Sequence, residues 1–483
     1  MNLKKFEGNK PISLTNSITS VRIYYAINAY VKETHRHYQI KEGVTLTMKK
    51  FLSLVLALVL VMGFATMATA EGEKRTVEFW HCSGGTIGEA VQANVDAFNA
   101  SQDEIFVNAT FQGGYDDSLI KIKAAVPAGE GPDVFHIFEM ATAYLAGQDW
   151  VVPFSDMLEK DPFMSLDQIN GAMTNYYTVD GKFLCLPFNP SSPIMYYNKT
   201  AFEAAGITEV PTTFAEIKAI ADKLVADGGV QYAMGLSIYG WFFEALLVGS
   251  GHYYVDNENG RVAPATKIEY DTNGGGKMVM EAWKDLVDSG VCFNYGIDND
   301  SAKSGFMAGD TAITFESTAQ LTTITNGASF EVGAAMLPSV LDERVNRAII
   351  GGGNLWMVNT GDEQRMADTW EFMKFMASPE PAAAFSMATG YYAANTGAYE
   401  VPSYVEYLEA NPNAKVALDQ LSASELSNLT GSLFTGVSPE LRQIWQAEMD
   451  MYLLEVYTIE EALETMAEQS NAALAQYNAT TAG

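Results

Sequence analysis

Aromatic rings, carboxylates and hydroxyls recur at positions where a chain of this pattern would gather them. Trp80-His81, Tyr115 and Glu139 each follow a short run of β-branched and aromatic residues. Ser191 lies between Pro190 and Pro193, on a segment that the two prolines stiffen. Trp241 follows Gly240 shortly after another such run. Flat apolar rings suit the C–H faces of a sugar, and polar side chains satisfy its hydroxyls in a fixed geometry. A carboxylate takes two hydroxyl donors at once with charge-assisted strength. The set points to a binding site for a hydroxyl-rich ligand. A glycoside hydrolase would need two carboxyls flanking one bond at a defined separation. The many acidic residues supply such pairs by chance, so composition cannot exclude one. No nucleophile elbow or metal-type histidine cluster is present, and no catalytic residue, metal or cofactor is expected.

The elements that must position these residues alternate along the chain. TVEFW (76–80), EIFVNATF (104–111) and DVFHIF (133–138) read as strands. Between them, Ile87, Val91, Val95 and Phe98, and then Leu119, Ile122 and Val126, fall at helical spacing. This order predicts an α/β fold with a parallel sheet, whose ligands sit beyond the carboxyl ends of the strands. A second unit follows, with strands at 194–198, 232–237, 330–337 and 355–358. Thr213 with Glu216, and Thr458 with Glu461, have capping-box spacing ahead of two helices.

The chain has 483 residues, enough for two or three domains. Met48-Lys49-Lys50, an apolar stretch over 51–66 and Ala68-Thr69-Ala70 form a complete secretory signal. The expectation is that Met48 initiates the chain, that 1–47 is a mis-called extension, and that the mature protein begins at Glu71. No cysteine follows closely, so a lipid anchor is not expected. Residues 1–70 carry 9 of the 29 basic and 3 of the 59 acidic residues, so the remainder has a formal charge of −36. Such a surface repels nucleic acid and anionic lipid. Cys82, Cys185 and Cys292 match no metal or redox spacing and read as buried thiols.

Seven stretches in order resemble the family 1 extracellular solute-binding proteins of ABC transporters. They are FWHCSGG (79–85), TFQGGYDDSL (110–119), IFEMATAYL (137–145), PFNPSSPIMYYNKTAFEAAGI (187–207), KSGFMAGDTAITFES (303–317), IIGGGNLW (349–356) and GYYAANTGAY (390–399). The resemblance spans essentially all of 75–475. It implies a two-lobed periplasmic-binding-protein-like fold of type II with discontinuous lobes, 71–189 plus 339–389 and 190–338 plus 390–483, crossing near Asn189, Pro338 and Gly390. The lobes would close over a ligand by hinge motion. Pocket positions of the family fall on Tyr115, Glu139, Ser191, Trp241, Ser317, Gly352 through its N–H, and Tyr391. Trp356 reads as core.

Two departures bear on the ligand. A second pocket tryptophan of the glycerol-3-phosphate-binding relatives is replaced here by Ile238. Their phosphate-binding arginine aligns with Phe434, which removes a charge partner and adds a possible stacking face opposite Trp241. With the net charge, this argues for a small neutral carbohydrate, against useful binding of glycerol 3-phosphate. A glycerol phosphodiester or polyol is the alternative within the class. The implied partners are the transmembrane permease subunits of an ABC importer, and the implied location is periplasmic or extracellular.

Overall fold

The computed structural model describes residues 74–481. The signal sequence, the extension before it and the expected cleavage point at Glu71 lie outside the described residues. Two sheets organise the rest. The first has the order β2-β1-β3-β13-β4, with β7 also on β13. Its strands are β1 (Arg75–His81), β2 (Ile105–Phe111), β3 (Val134–Phe138), β4 (Val151–Val152), β7 (Leu186–Ser191) and β13 (Gly351–Val358). A hairpin, β5 (Thr178–Val179) with β6 (Lys182–Phe183), stands beside it. The second sheet has the order β10-β9-β11-β8-β12. Its strands are β8 (Pro193–Asn198), β9 (Tyr232–Leu236), β10 (Cys292–Asn294), β11 (Thr311–Ser317) and β12 (Val332–Met336).

The βαβ reading of the amino-terminal third holds. β1 runs parallel to both β2 and β3. The helices α1 (Gly85–Ser101) and α2 (Tyr115–Ala125) make the crossovers. Val91, Val95, Phe98 and Ile122 are buried, as their spacing requires. In the second lobe α3 (Phe214–Asp227) begins after Thr213, whose hydroxyl accepts the Glu216 N–H at 3.1 Å. The Glu216 carboxylate reaches Thr212 N–H instead of closing the box on Thr213. At α9 (Ile459–Thr481) the box is reciprocal between Thr458 and Glu461.

Strands β7 and β11 were not expected from the sequence. Pro187 and Pro190 make β7 read as a loop. It pairs only with β13, so the missing N–H groups leave no second ladder unsatisfied. β11 is buried on both faces and lacks an alternating pattern.

The chain passes from the first sheet to the second at Ser192 and returns between Met336 and Gly351. The third connection differs from the sequence expectation that everything after 390 joins the second lobe. Asn170 N–H donates to Ala394 O at 3.1 Å and Ile169 bridges Asn395 on the first-lobe side, while Asn413 hydrogen-bonds β12. Gln420 gathers the crossovers at one point. Its Nε2 donates to Ser192 Oγ and Pro193 O at 2.9 Å each, and its Oε1 accepts Leu337 N–H at 2.7 Å. The three cysteines are buried and unpaired.

Candidate ligand-binding cleft

The two sheets present their carboxyl edges to each other, and that edge is where the expected residues meet. β3 ends at Phe138, so Glu139 follows it at the edge. Antiparallel β13 begins there, with Gly353 opposite Phe138. In the second sheet β11 ends at Ser317, opposite Pro193 of β8. Past β9 the chain enters α4 (Gly240–Gly249), which carries Trp241 in its first turn. A cavity of ≈ 260 Å³ opens between these edges. Seven of the eight expected residues line it: Tyr115, Glu139, Ser191, Trp241, Ser317, Gly352 and Tyr391.

Tyr115 is fixed from behind. Its ring stacks on Phe138 at 5.1 Å with 7° between planes. Asn189 Nδ2 donates to its hydroxyl at 3.2 Å, which leaves Asn189 Oδ1 as the acceptor 2.7 Å from His136 Nε2. His136 Nε2 therefore carries the ring proton, and Nδ1 faces the Cys82 thiol at 3.3 Å. Burial lowers the His136 pKa to about 4, so the ring is neutral. None of this supporting chain was expected.

Trp241 belongs to the second lobe but rests on the first. Its Nε1–H donates to Ile350 O at 3.4 Å. A Cβ on Gly351 would stand 2.3 Å from its Cζ2. Gly352 has φ +95°, and a Cβ there would meet Asn189 O at 2.1 Å. The GGG run therefore allows β7 and the indole to approach β13 closely. Ile238 is fully buried in the second core and takes no part in the lining.

The cavity holds two buried carboxylates, one from each lobe. Glu139 is 5% exposed, and its Oε1 lies 3.5 Å from Arg442 Nη1. Arg442 lies on α8 (Ser438–Leu453) and is gripped more closely by Glu244, at 2.6 and 2.9 Å. Burial raises the Glu139 pKa, and Arg442 opposes that shift. Glu316, missed by sequence reasoning, is 3% exposed. It accepts Asn299 Nδ2 at 2.7 Å and Ser317 N–H at 2.6 Å, with no salt bridge among the described residues. Burial pushes its carboxyl up to about 7. Its signal in the sequence was only its place beside Ser317. Tyr239, Asn299 and Gln320 also line the cavity and were not expected.

Phe434 is elsewhere, which corrects the expectation of a stacking face opposite Trp241. It lines a second opening of ≈ 880 Å³, and the Arg261 guanidinium lies 4.6 Å from its ring centroid. The loss of positive charge expected at this position is also corrected, since Arg261 brings a guanidinium there from another segment. Arg442, the nearby cation in sequence, is held by Glu244 and Glu139.

The family's sequence profile for bacterial extracellular solute-binding proteins matches residues 93–415. The chain belongs to that family. It is 30% identical over 436 residues to the sn-glycerol-3-phosphate-binding periplasmic protein UgpB of Yersinia pestis, covering 88% of this chain and 97% of the relative. It is 29% identical over 432 residues to UgpB of Escherichia coli O6:H1, covering 87% and 97%. The fold matches UgpB from Mycobacterium tuberculosis in complex with glycerophosphocholine, with TM-score 0.70, 22% identity and coverage of 84% and 99%. It also matches the cyclic alpha-maltosyl-1,6-maltose binding protein from Arthrobacter globiformis, with TM-score 0.68, 22% identity and coverage of 84% and 100%. The chain is an extracytoplasmic substrate-binding protein of an ABC importer. No helix among the described residues is long and apolar enough to cross a membrane.

Proposed function

We propose that this receptor captures a small carbohydrate in the ≈ 260 Å³ cavity and hands it to the permease without changing it chemically. One observation carries the reading. Glu139 and Glu316 line that cavity from opposite lobes, and the cation beside Glu139 is already engaged by Glu244. Hydroxyls donate well to such carboxylates. An anion entering there would meet like charge in a poorly solvated space. Tyr115, Trp241 and Tyr391 supply the apolar surface that a sugar ring needs.

The alternative within the class is a polyol or a glycerol phosphodiester, the second supported by the glycerophosphocholine bound to UgpB from Mycobacterium tuberculosis. A hydrolytic role is disfavoured by the geometry of both acids. Glu139 faces a guanidinium, and both Glu316 oxygens are tied to the N–H groups of Asn299 and Ser317, so the two are not arranged as a matched acid and nucleophile. A thermal-shift screen against neutral saccharides and polyols tests the reading. A ligand at 100 times its Kd stabilises the fold by about 2.7 kcal/mol. No response to any neutral compound would remove it, and release of product from chromogenic glycosides would overturn the non-catalytic part.

A further inference from the structure

The ≈ 880 Å³ opening has the opposite electrostatic character to the first cavity. Two cations line it, Lys123 from α2 in the first lobe and Arg261 from the second, with one carboxylate, Asp180, in the β5–β6 turn. Neither Lys123 nor Arg261 forms a salt bridge among the described residues, although 17 such pairs are present and acidic residues outnumber basic ones two to one. Lys123 Nζ instead stands 4.3 Å above the Tyr144 ring. The Arg261 guanidinium lies 4.6 Å from each of the Tyr176 and Phe434 rings.

The donor count of Arg261 is informative. A guanidinium has five N–H groups. Nε donates to Ser432 O, Nη1 to Tyr176 O and Nη2 to Gly431 O. One N–H on each terminal nitrogen remains, and a carboxylate or phosphate binds such a fork through two oxygens. The backbone leading to Arg261 is held in a costly shape. Asn257, Glu258 and Asn259 all have positive φ, at 54°, 56° and 62°, a left-handed turn that L-residues avoid. Asn259 stabilises it from inside, accepting Tyr254 N–H at 2.7 Å and holding Phe434 N–H on its carbonyl at 2.9 Å. The turn and Phe434 are thus built together around Arg261.

We infer that this second opening is an oxyanion subsite, in which Arg261 and Lys123 bind a carboxylate or phosphate group of an incoming solute. The inference stands apart from the carbohydrate reading of the first cavity, because it rests on different residues. Tyr176 separates the two, with its hydroxyl donating to Glu139 O at 3.1 Å and its ring against Arg261.

Paired calorimetric titrations test it: glycerol 3-phosphate against glycerol, and glucuronate against glucose, at low and physiological ionic strength. At least one anionic probe should bind about 10- to 100-fold more tightly than its neutral counterpart, the scale of hydrogen bonds to a charged group. A phosphate-only preference identifies a phosphate source, and a glucuronate preference identifies a uronate source. Arg261→Gln should abolish the preference. Lys123→Gln, at an exposed position where folding is not at risk, should reduce it by about 2- to 5-fold. Anionic probes no tighter than their neutral counterparts would overturn the inference, as would a preference that survives both substitutions. If Arg261→Gln does not fold, an unchanged preference in Lys123→Gln decides against it. Phosphate binding without any saccharide response would refute the first-cavity reading and leave this one standing.

Discussion

The two openings differ in sign, and Tyr176 touches a lining residue of each. The first gathers buried carboxylates, and Arg442 beside Glu139 is also held by Glu244. The second gathers cations that no carboxylate partners among the described residues. Both belong to a chain with a formal net charge of −30. Net charge therefore says little about what each opening accepts, because local pairing decides it. In the sequence, net charge and Phe434 are the features that point to a neutral ligand. The structure moves that argument onto Glu139 and Glu316, and it returns a cation to Phe434.

The comparison can be broken most severely at Arg442. Arg442→Met strands two buried carboxylates, Glu139 and Glu244, and should cost about 3–5 kcal/mol in chemical denaturation. A loss below 1 kcal/mol would mean that the bridge between the lobes is not formed in solution.

Glu316 gives the next largest effect. Burial raises its folded pKa to about 7, above the ordinary glutamate value of 4.5. The folded state therefore holds a proton between these values that the unfolded state has released. The stabilisation is present below about pH 4.5 and is lost as pH rises through 7. Glu316→Gln should remove this dependence. Its stability relative to the parent should rise with pH across that window by on the order of 3 kcal/mol. Parallel stability curves would place the carboxylate in contact with water.

Smaller again is Gly351→Ala. A Cβ 2.3 Å from Trp241 must displace the indole or β13, at about 1–3 kcal/mol. Tryptophan fluorescence should shift with it. The smallest effect is expected in the second opening. Lys123→Gln should change stability by less than about 0.5 kcal/mol, because the side chain is exposed and makes no salt bridge among the described residues. It should still alter anion binding, so that stability and binding separate there.

Much of the cleft was legible because strand ends carry it. Glu139, Ser317 and Trp241 follow strands whose carboxyl edges face the opening, and Glu139 and Ser317 lie in stretches that resemble the family. What was illegible lies in contacts between distant segments. Asn189 holding Tyr115, and His136 holding Asn189, depend on β7, whose prolines disguise it as a loop. Glu316 carries no spacing signal of its own. Arg261 is 173 positions from Phe434 in the chain, and only the left-handed turn at 257–259 brings them together. Gln420 joins two crossovers, at Ser192–Pro193 and at Leu337, that no local pattern reveals.

The claim that the first cavity is the ligand site is tested most directly at Trp241. The tightest neutral saccharide from the thermal-shift screen would be titrated calorimetrically into the parent protein and into Trp241→Ala. The account predicts a loss of about 1–3 kcal/mol in binding, the scale of a buried aromatic contact, in a variant that still folds. Unchanged affinity in Trp241→Ala would contradict it and make Trp241 a packing residue between the lobes.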